Sequence, residues 1–291
     1  MNQSDLVETV LSLLTEGDYM TEKEKDWERL KRIIQEMNIM DDDFFVKIAE
    51  DISAMEEILQ VFLQDRGIRL KWTKSQVSLR NIGTRSVVVD SLCKAQGGKL
   101  YSIEMEKANK DDHQKRVRYN SSNIDTLITE KGIHFKDIPE LCMIYISKTD
   151  FFKMRRCIYH VRRVVQENGT IVDNGVREIY VNARIDDGSE IAELMKYIKN
   201  TRGEHRLFPK LSARVKYLRE DKKGVETMCE AVEKYAREKA RKAARKAKKE
   251  IARETAVRFL QNGVSFEIVL KSIPQLSRGE LETICREMAV L

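Results

Sequence analysis

The chain has 291 residues, 42% of them hydrophobic and 34% charged, with a formal net charge of +6. This length supports one or two domains with a sizeable core, and only 3 prolines and 13 glycines exclude a low-complexity or collagen-like chain. Five scattered cysteines without a CxxC motif predict free thiols in a reducing compartment. The N-terminus lacks a signal-peptide pattern, and no stretch approaches the roughly 20 apolar residues of a membrane span. A cytoplasmic protein is expected.

The first predicted elements are helices. Residues 1–40 are expected to form short amphipathic helices that pack or contact a partner. A longer helix is predicted over residues 42–63, because apolar residues recur there at three- and four-residue spacing. Glu50 and Asp51 lie off this apolar stripe. Residues 68–79 then alternate between apolar and polar side chains, which predicts a strand.

A β-hairpin is predicted next, over residues 87–106. Val87–Leu92 is β-branched and apolar around Asp90, and Leu100–Met105 alternates as a half-buried strand does. A three-residue loop, Gln96-Gly97-Gly98, would place Asp90 opposite Glu104. A two-residue Gly-Gly loop would put these two acids on opposite faces. We favour the longer loop on chemical grounds.

The chemical grounds are three carboxylates that share one sheet face. Asp90 and Glu104 would be directly opposed, with Glu106 diagonal to Asp90, and like charges directly across a strand pair destabilise it. A cation would relieve this repulsion, and hard carboxylate oxygens suit Mg²⁺ or Mn²⁺. The alternative is a solvated face whose acids pair with Lys99, Lys107 or Arg118.

The same stretch resembles the PD-(D/E)XK nuclease core, in which an Asp on one strand precedes Glu-x-(Lys or Gln) on the next. More narrowly, it resembles the transposase-like, recombination-promoting nuclease branch of that superfamily. The residues that carry this resemblance are Asn81, Gly83, Ser86, Asp90, Gly98, Lys99, Tyr101, Ile103, Glu104, Arg116 and Tyr119. The match extends, more weakly, from about Phe44 to about Tyr197.

The resemblance implies a restriction-endonuclease-like fold and metal-dependent hydrolysis of DNA phosphodiesters. It implies that Asp90 and Glu104 hold Mg²⁺ or Mn²⁺, with an acid of the preceding helix, Glu50 or Asp51, as a further ligand. Glu106 is expected to be another ligand or a proton acceptor. On the following helix, Gln114 and Arg118 are expected to orient water or contact phosphate, and Tyr119 to contact DNA.

One departure from the family pattern is Glu106, since the family has Gln or Lys there. The missing cation must then come from Lys107 or from the following helix, where Lys115 is the candidate. If neither supplies it, the protein is a degenerate nuclease that only binds DNA or a protein partner. No catalytic histidine is predicted, and His113 is expected on the helix surface.

The rest of the chain completes the sheet and adds helices. Residues 141–147 predict a central buried strand, and residues 157–166 and 177–184 predict a second hairpin at the sheet edge. Long helices follow from residue 211 to about residue 258, with a basic face that is either solvated or bound to DNA phosphates. The candidate DNA contacts on that face are Arg241, Lys242, Arg245, Lys246 and Lys249.

The predicted fold class is therefore α/β, a mixed central sheet flanked by helices, followed by a long basic helix and a small helical tail. The predicted boundaries are an N-terminal helical segment at 1–40, the nuclease-like core at 41–200, the basic helical region at 201–258 and the tail at 259–291. The tail is expected to be a helix-turn-helix or a docking module, and it is the candidate homodimer contact. DNA is the predicted partner, with no membrane contact.

Overall fold

A computed structural model describes residues 22–79, 86–106 and 113–289. Its centre is a six-stranded mixed sheet with helices on both faces, which confirms the predicted α/β class. In chain order the strands are β1 (Leu70–Leu79), β2 (Val87–Ala95), β3 (Leu100–Glu106), β4 (Leu141–Ser147), β5 (Ile158–Val161) and β6 (Val176–Asn182). Their order across the sheet is β1-β2-β3-β4-β6-β5.

Helices lie before, between and after the strands in the chain. Those before and within the sheet region are α1 (Glu22–Glu36), α2 (Asp42–Ala49), α3 (Ile52–Leu63) and α4 (His113–Ile128). Those after it are α5 (Glu190–Lys199), α6 (Pro209–Glu220), α7 (Lys222–Thr227), α8 (Cys229–Gln261), α9 (Phe266–Ser272) and α10 (Arg278–Ala289). No helix of the described residues is long and apolar enough to cross a membrane.

The β2–β3 hairpin has the predicted register. Ser91 pairs with Ile103 and Lys94 with Leu100, and the Ala95 amide donates to the Lys99 carbonyl at 2.8 Å. The loop therefore contains three residues, and Gly98 adopts a φ of 89°, which favours glycine. Extending this register by one residue places Asp90 opposite Glu104.

Strand β3 is more deeply buried than its alternation predicts. It pairs with β2 on one side and in parallel with β4 on the other, and all seven of its residues are buried. The prediction of a half-buried strand was therefore wrong, because helices cover both faces. One face carries a core of Leu92, Leu100, Met143 and Tyr145 with Val117 and Ile124 of α4. The polar residues of β3 lie on this covered face.

The predicted single helix over residues 42–63 is two helices, α2 and α3. Glu50 ends α2, and Asp51 begins α3 as its N-cap, where its carboxylate accepts a hydrogen bond from the Ala54 amide at 2.9 Å. The apolar stripe continues through this break, so periodicity alone did not reveal it. The break places Glu50 at the C-terminal end of α2.

Helix α6 is joined to the core by two buried charged residues. Glu57 of α3 accepts a hydrogen bond from the Leu211 amide at 2.8 Å, at the open N-terminus of α6. Arg219, 5% exposed, donates to the carbonyl oxygens of Thr201 at 2.5 Å and Met37 at 2.6 Å. Residues 209–220 therefore belong to the packing of the sheet-bearing unit.

The chain divides into two compact units, residues 1–232 and 233–291. In the second unit, α8 packs with α9 and α10 around Ala256, Val269, Leu281 and Ile284. Ion pairs join Lys249 to Glu280 and Arg253 to Glu287, so basic residues of α8 face acids of α10. At the start of α10, the Ser277 hydroxyl and the Glu280 carboxylate form a capping box.

Candidate active site

The regular pairing of β2 with β3 ends at Ser91 and Ile103. Beyond these residues, carboxylate oxygens of Asp90 and Glu104 contact backbone amides of the opposite strand. The Met105 amide donates to Asp90 Oδ2 at 2.9 Å, and the Asp90 amide lies 3.4 Å from Glu104 Oε1. The two opposed acids therefore each cap an amide that would otherwise pair with the neighbouring strand. This crossed arrangement holds both carboxylates between the strands, at the end of β3 near the start of α4.

Burial makes this acid pair electrostatically unusual. Glu104 is 1% exposed, whereas Asp90 is half-buried and forms the open side of the pair. Burial raises the pKa of Asp90 to about 6, opposed by the Met105 amide and assisted by the charges of Asp42 and Glu106. Burial first, and then the charge of Asp90, hold the pKa of Glu104 well above its ordinary value. The predicted carboxylate repulsion is present, as a contribution second to burial.

A cation does reach this site, and it belongs to Arg116. Its Nη1 lies 2.5 Å from Glu106 Oε2, and its Nη2 lies 3.9 Å from Glu104 Oε2. The side chain is about one-third exposed, so it closes the site toward solvent. Glu106 therefore holds an arginine beside the acid pair, and Arg116 is a site residue that the sequence placed only in a motif.

Two buried ring side chains, Tyr145 and His113, lie next to Glu106. The Tyr145 hydroxyl lies 3.4 Å from Glu106 Oε2 and 2.6 Å from His113 Nδ1. His113 is 4% exposed and packs against Phe151 with a centroid distance of 4.2 Å and tilted ring planes. The expectation that His113 lies on the helix surface was therefore wrong. Burial raises the pKa of Tyr145, so its hydroxyl stays protonated and can donate.

The rotation of α4 separates the predicted helix residues from the acids. His113, Val117, Asn120 and Ile124 form its buried face, whereas the predicted catalytic Lys115 is exposed. One residue of displacement turns a side chain by about 100° around a helix. Arg116 therefore contacts the acids in place of Lys115, and Lys107 lies outside the described residues, as do Asn81 and Gly83 of the motif.

The other predicted contacts of α4 lie on its outer surface. Gln114, Arg118 and Tyr119 are exposed. Their predicted contacts with DNA or water stay predictions. On α8, Arg241, Arg245 and Lys249 are exposed as well, and Lys249 already pairs with Glu280. The side chains of Lys242 and Lys246 lie outside the described part of the structure.

Glu50 does not take the predicted place of a third metal ligand. Its carboxylate pairs with Lys47 at 3.0 Å and its side chain is 41% exposed. The helix acid whose charge acts on Asp90 is Asp42, at the start of α2. Among the described residues, no three His, Cys, Asp or Glu side chains are grouped so that they could hold a metal ion.

Comparisons of the chain with protein-family models, with curated proteins and with solved structures gave no significant match.

Proposed function

We propose that the protein is a metal-dependent DNA endonuclease that hydrolyses phosphodiester bonds. The observation that carries this proposal is the crossed pair of Asp90 and Glu104 with Arg116 beside it. Two acids on neighbouring strands and an arginine of the following helix supply both of the charges that phosphodiester chemistry uses. The proposed arrangement follows the resemblance of residues 81–119 to the recombination-promoting nucleases, with Arg116 in the part expected of a lysine.

The residues of the pair fit a divalent cation through an incompletely satisfied oxygen. Glu104 Oε2 is buried and accepts no hydrogen bond from the described residues, and such an oxygen is costly unless it is paired. Mg²⁺ is commonly held by one or two carboxylates, with waters and substrate phosphate completing its coordination. Asp90 and Glu104 would therefore hold Mg²⁺ or Mn²⁺. When bound, the ion would polarise the phosphate and lower the pKa of water.

The remaining residues have separate parts in this proposal. Hydrolysis joins the oxygen of water to phosphorus and breaks one ester bond, so negative charge develops on the phosphate oxygens. Arg116 offers a guanidinium N–H on the side of Glu104, where it neutralises that charge. Glu106 positions Arg116, and Tyr145 positions Glu106.

The test is plasmid nicking in Mg²⁺ or Mn²⁺ by wild type, Asp90→Asn and Glu104→Gln. Both variants keep the shape of the side chain and an oxygen that can accept the amide, so the fold is preserved. We expect each to lose nicking by about 100-fold or more, as on removal of a group that stabilises transition-state charge. Asp173→Asn, at an exposed position, is the control and should nick as wild type does.

A second function, DNA binding without cleavage, has its own supporting observation. Glu106 already neutralises Arg116, and the described residues offer two grouped carboxylates and no third. Equal nicking by wild type and both acid variants would indicate a contaminant and overturn the catalytic proposal. No nicking by wild type, together with salt-dependent DNA binding, would favour the second function.

A further inference from the structure

A small polar cleft lies on the flank of α4 that faces away from the acid pair. Its volume is about 280 Å³, and its walls are one side of α4 and the ends of β5 and β6. Arg118, Ser121 and Asp125 line it from α4, at spacings that share one helix face. At 100° per residue, Ser121 lies about 140° around the helix from Arg116. The cleft and the candidate active site are therefore on different flanks of one helix.

Three arginines surround this cleft, and their charges are not paired by any residue that the structure describes. Arg118 comes from α4, and Arg162 and Arg163 follow β5. All three are exposed, and none forms an ion pair with any residue that the structure describes. By contrast, Arg116 and Arg177 in the same unit have carboxylate partners. An arginine without an acidic partner at a concave surface is available to an anion.

A second observation concerns the electrostatics of this edge of the sheet. His160, two residues before Arg162, has a lowered pKa, caused first by burial and then by the charges of Arg177 and Arg162. The protonated imidazole is therefore disfavoured next to these arginines. An incoming negative group would meet the opposite, favourable interaction.

The acids of the cleft limit how much negative charge it can accept. Asp125 and Glu178 also line it, and Glu178 accepts a hydrogen bond from Tyr180 at 2.7 Å. Three arginines against two carboxylates leave one net positive charge. That charge matches the single negative charge of one phosphodiester group. The volume, just below the usual range of about 300–1,000 Å³ for ligand pockets, also suits one phosphate with its sugar.

We infer that this cleft binds one backbone phosphate of a nucleic acid strand, outside the scissile phosphate. Arg118, Arg162 and Arg163 supply the charge, and the Ser121 hydroxyl at the cleft wall supplies a neutral donor. This inference deepens the proposed function, on which it rests for the identity of the ligand. It assigns a binding role to the β5–β6 side of the sheet, which no sequence motif indicated.

The experiment measures binding of a fluorescent 30-base-pair duplex by anisotropy, without divalent cations, between 50 and 200 mM salt. The variant carries Arg118→Gln, Arg162→Gln and Arg163→Gln together. Because each lost phosphate contact removes about 0.9 from the slope of log affinity against log salt, the slope should fall by about that amount. The triple lysine variant, which retains the charges, should keep the wild-type slope.

The matched control removes three exposed positive charges elsewhere in the same unit, through Lys131→Gln, Arg206→Gln and Lys223→Gln. A slope that is unchanged in the cleft variant, or reduced equally in the control, overturns the inference. If the wild type nicks DNA but the cleft variant has the wild-type salt slope, the cleft inference fails and the proposed function stands. If the cleft variant has a reduced slope but the wild type never nicks DNA, the proposed function fails and the cleft inference stands.

Discussion

Arg116 shows which part of the candidate site the sequence could predict. The acid pair followed from a glycine turn and from the chemistry of opposed like charges, and the register is as expected. The cation did not follow, because its identity depends on how α4 is rotated. The buried face of α4 includes His113, Asn120, Ser121 and Asn123, so hydrophobic periodicity is too weak to set its phase. Only tertiary packing distinguishes Lys115 from Arg116.

The ion pair of Glu106 and Arg116 should be strongly coupled. Removing Arg116 alone deprives the buried Glu106 carboxylate of this ion pair, whereas removing both charges leaves neither side of the pair charged. We expect Arg116→Gln to destabilise the fold by about 1–3 kcal/mol and the double variant Glu106→Gln/Arg116→Gln by less, with a coupling of about 1–2 kcal/mol. Urea unfolding of the four proteins measures this coupling.

The exposed Lys47–Glu50 pair serves as the matched control for this cycle. Its coupling should be no more than about 0.5 kcal/mol, as for other exposed helix pairs. Equal coupling in the two cycles would show that Glu106 and Arg116 do not depend on each other.

Glu106→Gln should also weaken Mn²⁺ binding in calorimetry about 10-fold, because a released Arg116 can turn toward Glu104.

Asp90 should reduce the stability of the folded protein at neutral pH. Its folded-state pKa of about 6 lies above its ordinary value of 3.8, so the native state binds the proton more tightly than the unfolded state does. The resulting cost is absent below about pH 4 and complete above about pH 6. Asp90→Asn should therefore stabilise the metal-free protein at pH 7 by at most about 3 kcal/mol, and by little at pH 4.

Denaturant unfolding in EDTA at the two pH values tests this expectation, with Asp173→Asn for comparison. A stabilisation of equal size at pH 4 and pH 7 would mean that the Asp90 charge is not the cause. A site residue whose removal stabilises the fold would be an ordinary consequence of building chemistry into a core.

At the scale of elements, local signals in the sequence predicted the strands better than the helix breaks. Strand β4 appears where an apolar run placed it, and the β5–β6 hairpin lies at the predicted sheet edge, although β5 ends at Val161 and not at the predicted residue 166. The break between α2 and α3 was missed because Phe45, Ile48, Met55 and Leu59 keep helical spacing across it. The signal present was Asp51, a strong N-cap residue three positions before Ala54.

Asp51 should therefore contribute to stability as a cap. Asp51→Ala leaves the Ala54 amide without its acceptor and should cost about 1 kcal/mol, which lowers the melting temperature by about 2–4 °C in a unit of this size. Asp51→Ser retains a capping oxygen and should recover most of the loss. Thermal unfolding followed by circular dichroism compares them, with Glu50→Ala next door as control. A Glu50→Ala loss equal to that of Asp51→Ala would argue against capping.

At the scale of the whole molecule, the sequence predicted a basic face on the helices of residues 211–258, and α8 carries much of that charge. Part of that charge is used inside the second unit, since Lys249 and Arg253 pair with acids of α10. Arg241, Arg245 and Lys248 are exposed and stay candidates for phosphate contact. The proposed homodimer contact in this unit also stays a prediction. Ile251 and Ile268 are exposed there, at 63% and 57%.

The two groups of basic residues on α8 should respond differently to substitution. Replacing Arg241, Arg245 and Lys248 with Gln should flatten the salt dependence of DNA binding by up to about 0.9 per lost contact, without sequence preference. Replacing Lys249 and Arg253 with Gln should chiefly loosen α10, detected as faster proteolysis of the C-terminal residues. An unaltered salt slope in the first variant would indicate that Arg241, Arg245 and Lys248 form a solvated surface and do not contact DNA.

The buried Arg219 is synthesised long after one of the residues that it contacts in the folded protein. Its partners include the Met37 carbonyl, 182 residues earlier in the chain. At about 5–20 residues per second, the ribosome adds Arg219 roughly 10–40 seconds after Met37. Asp90 and Tyr145 are separated by only 55 residues, so both halves of the candidate site leave the ribosome well before the arginine that closes the core. A nascent chain stalled before residue 219 should already contain Asp90 and Glu104. Because it lacks the buried Arg219, it should still require protection from aggregation.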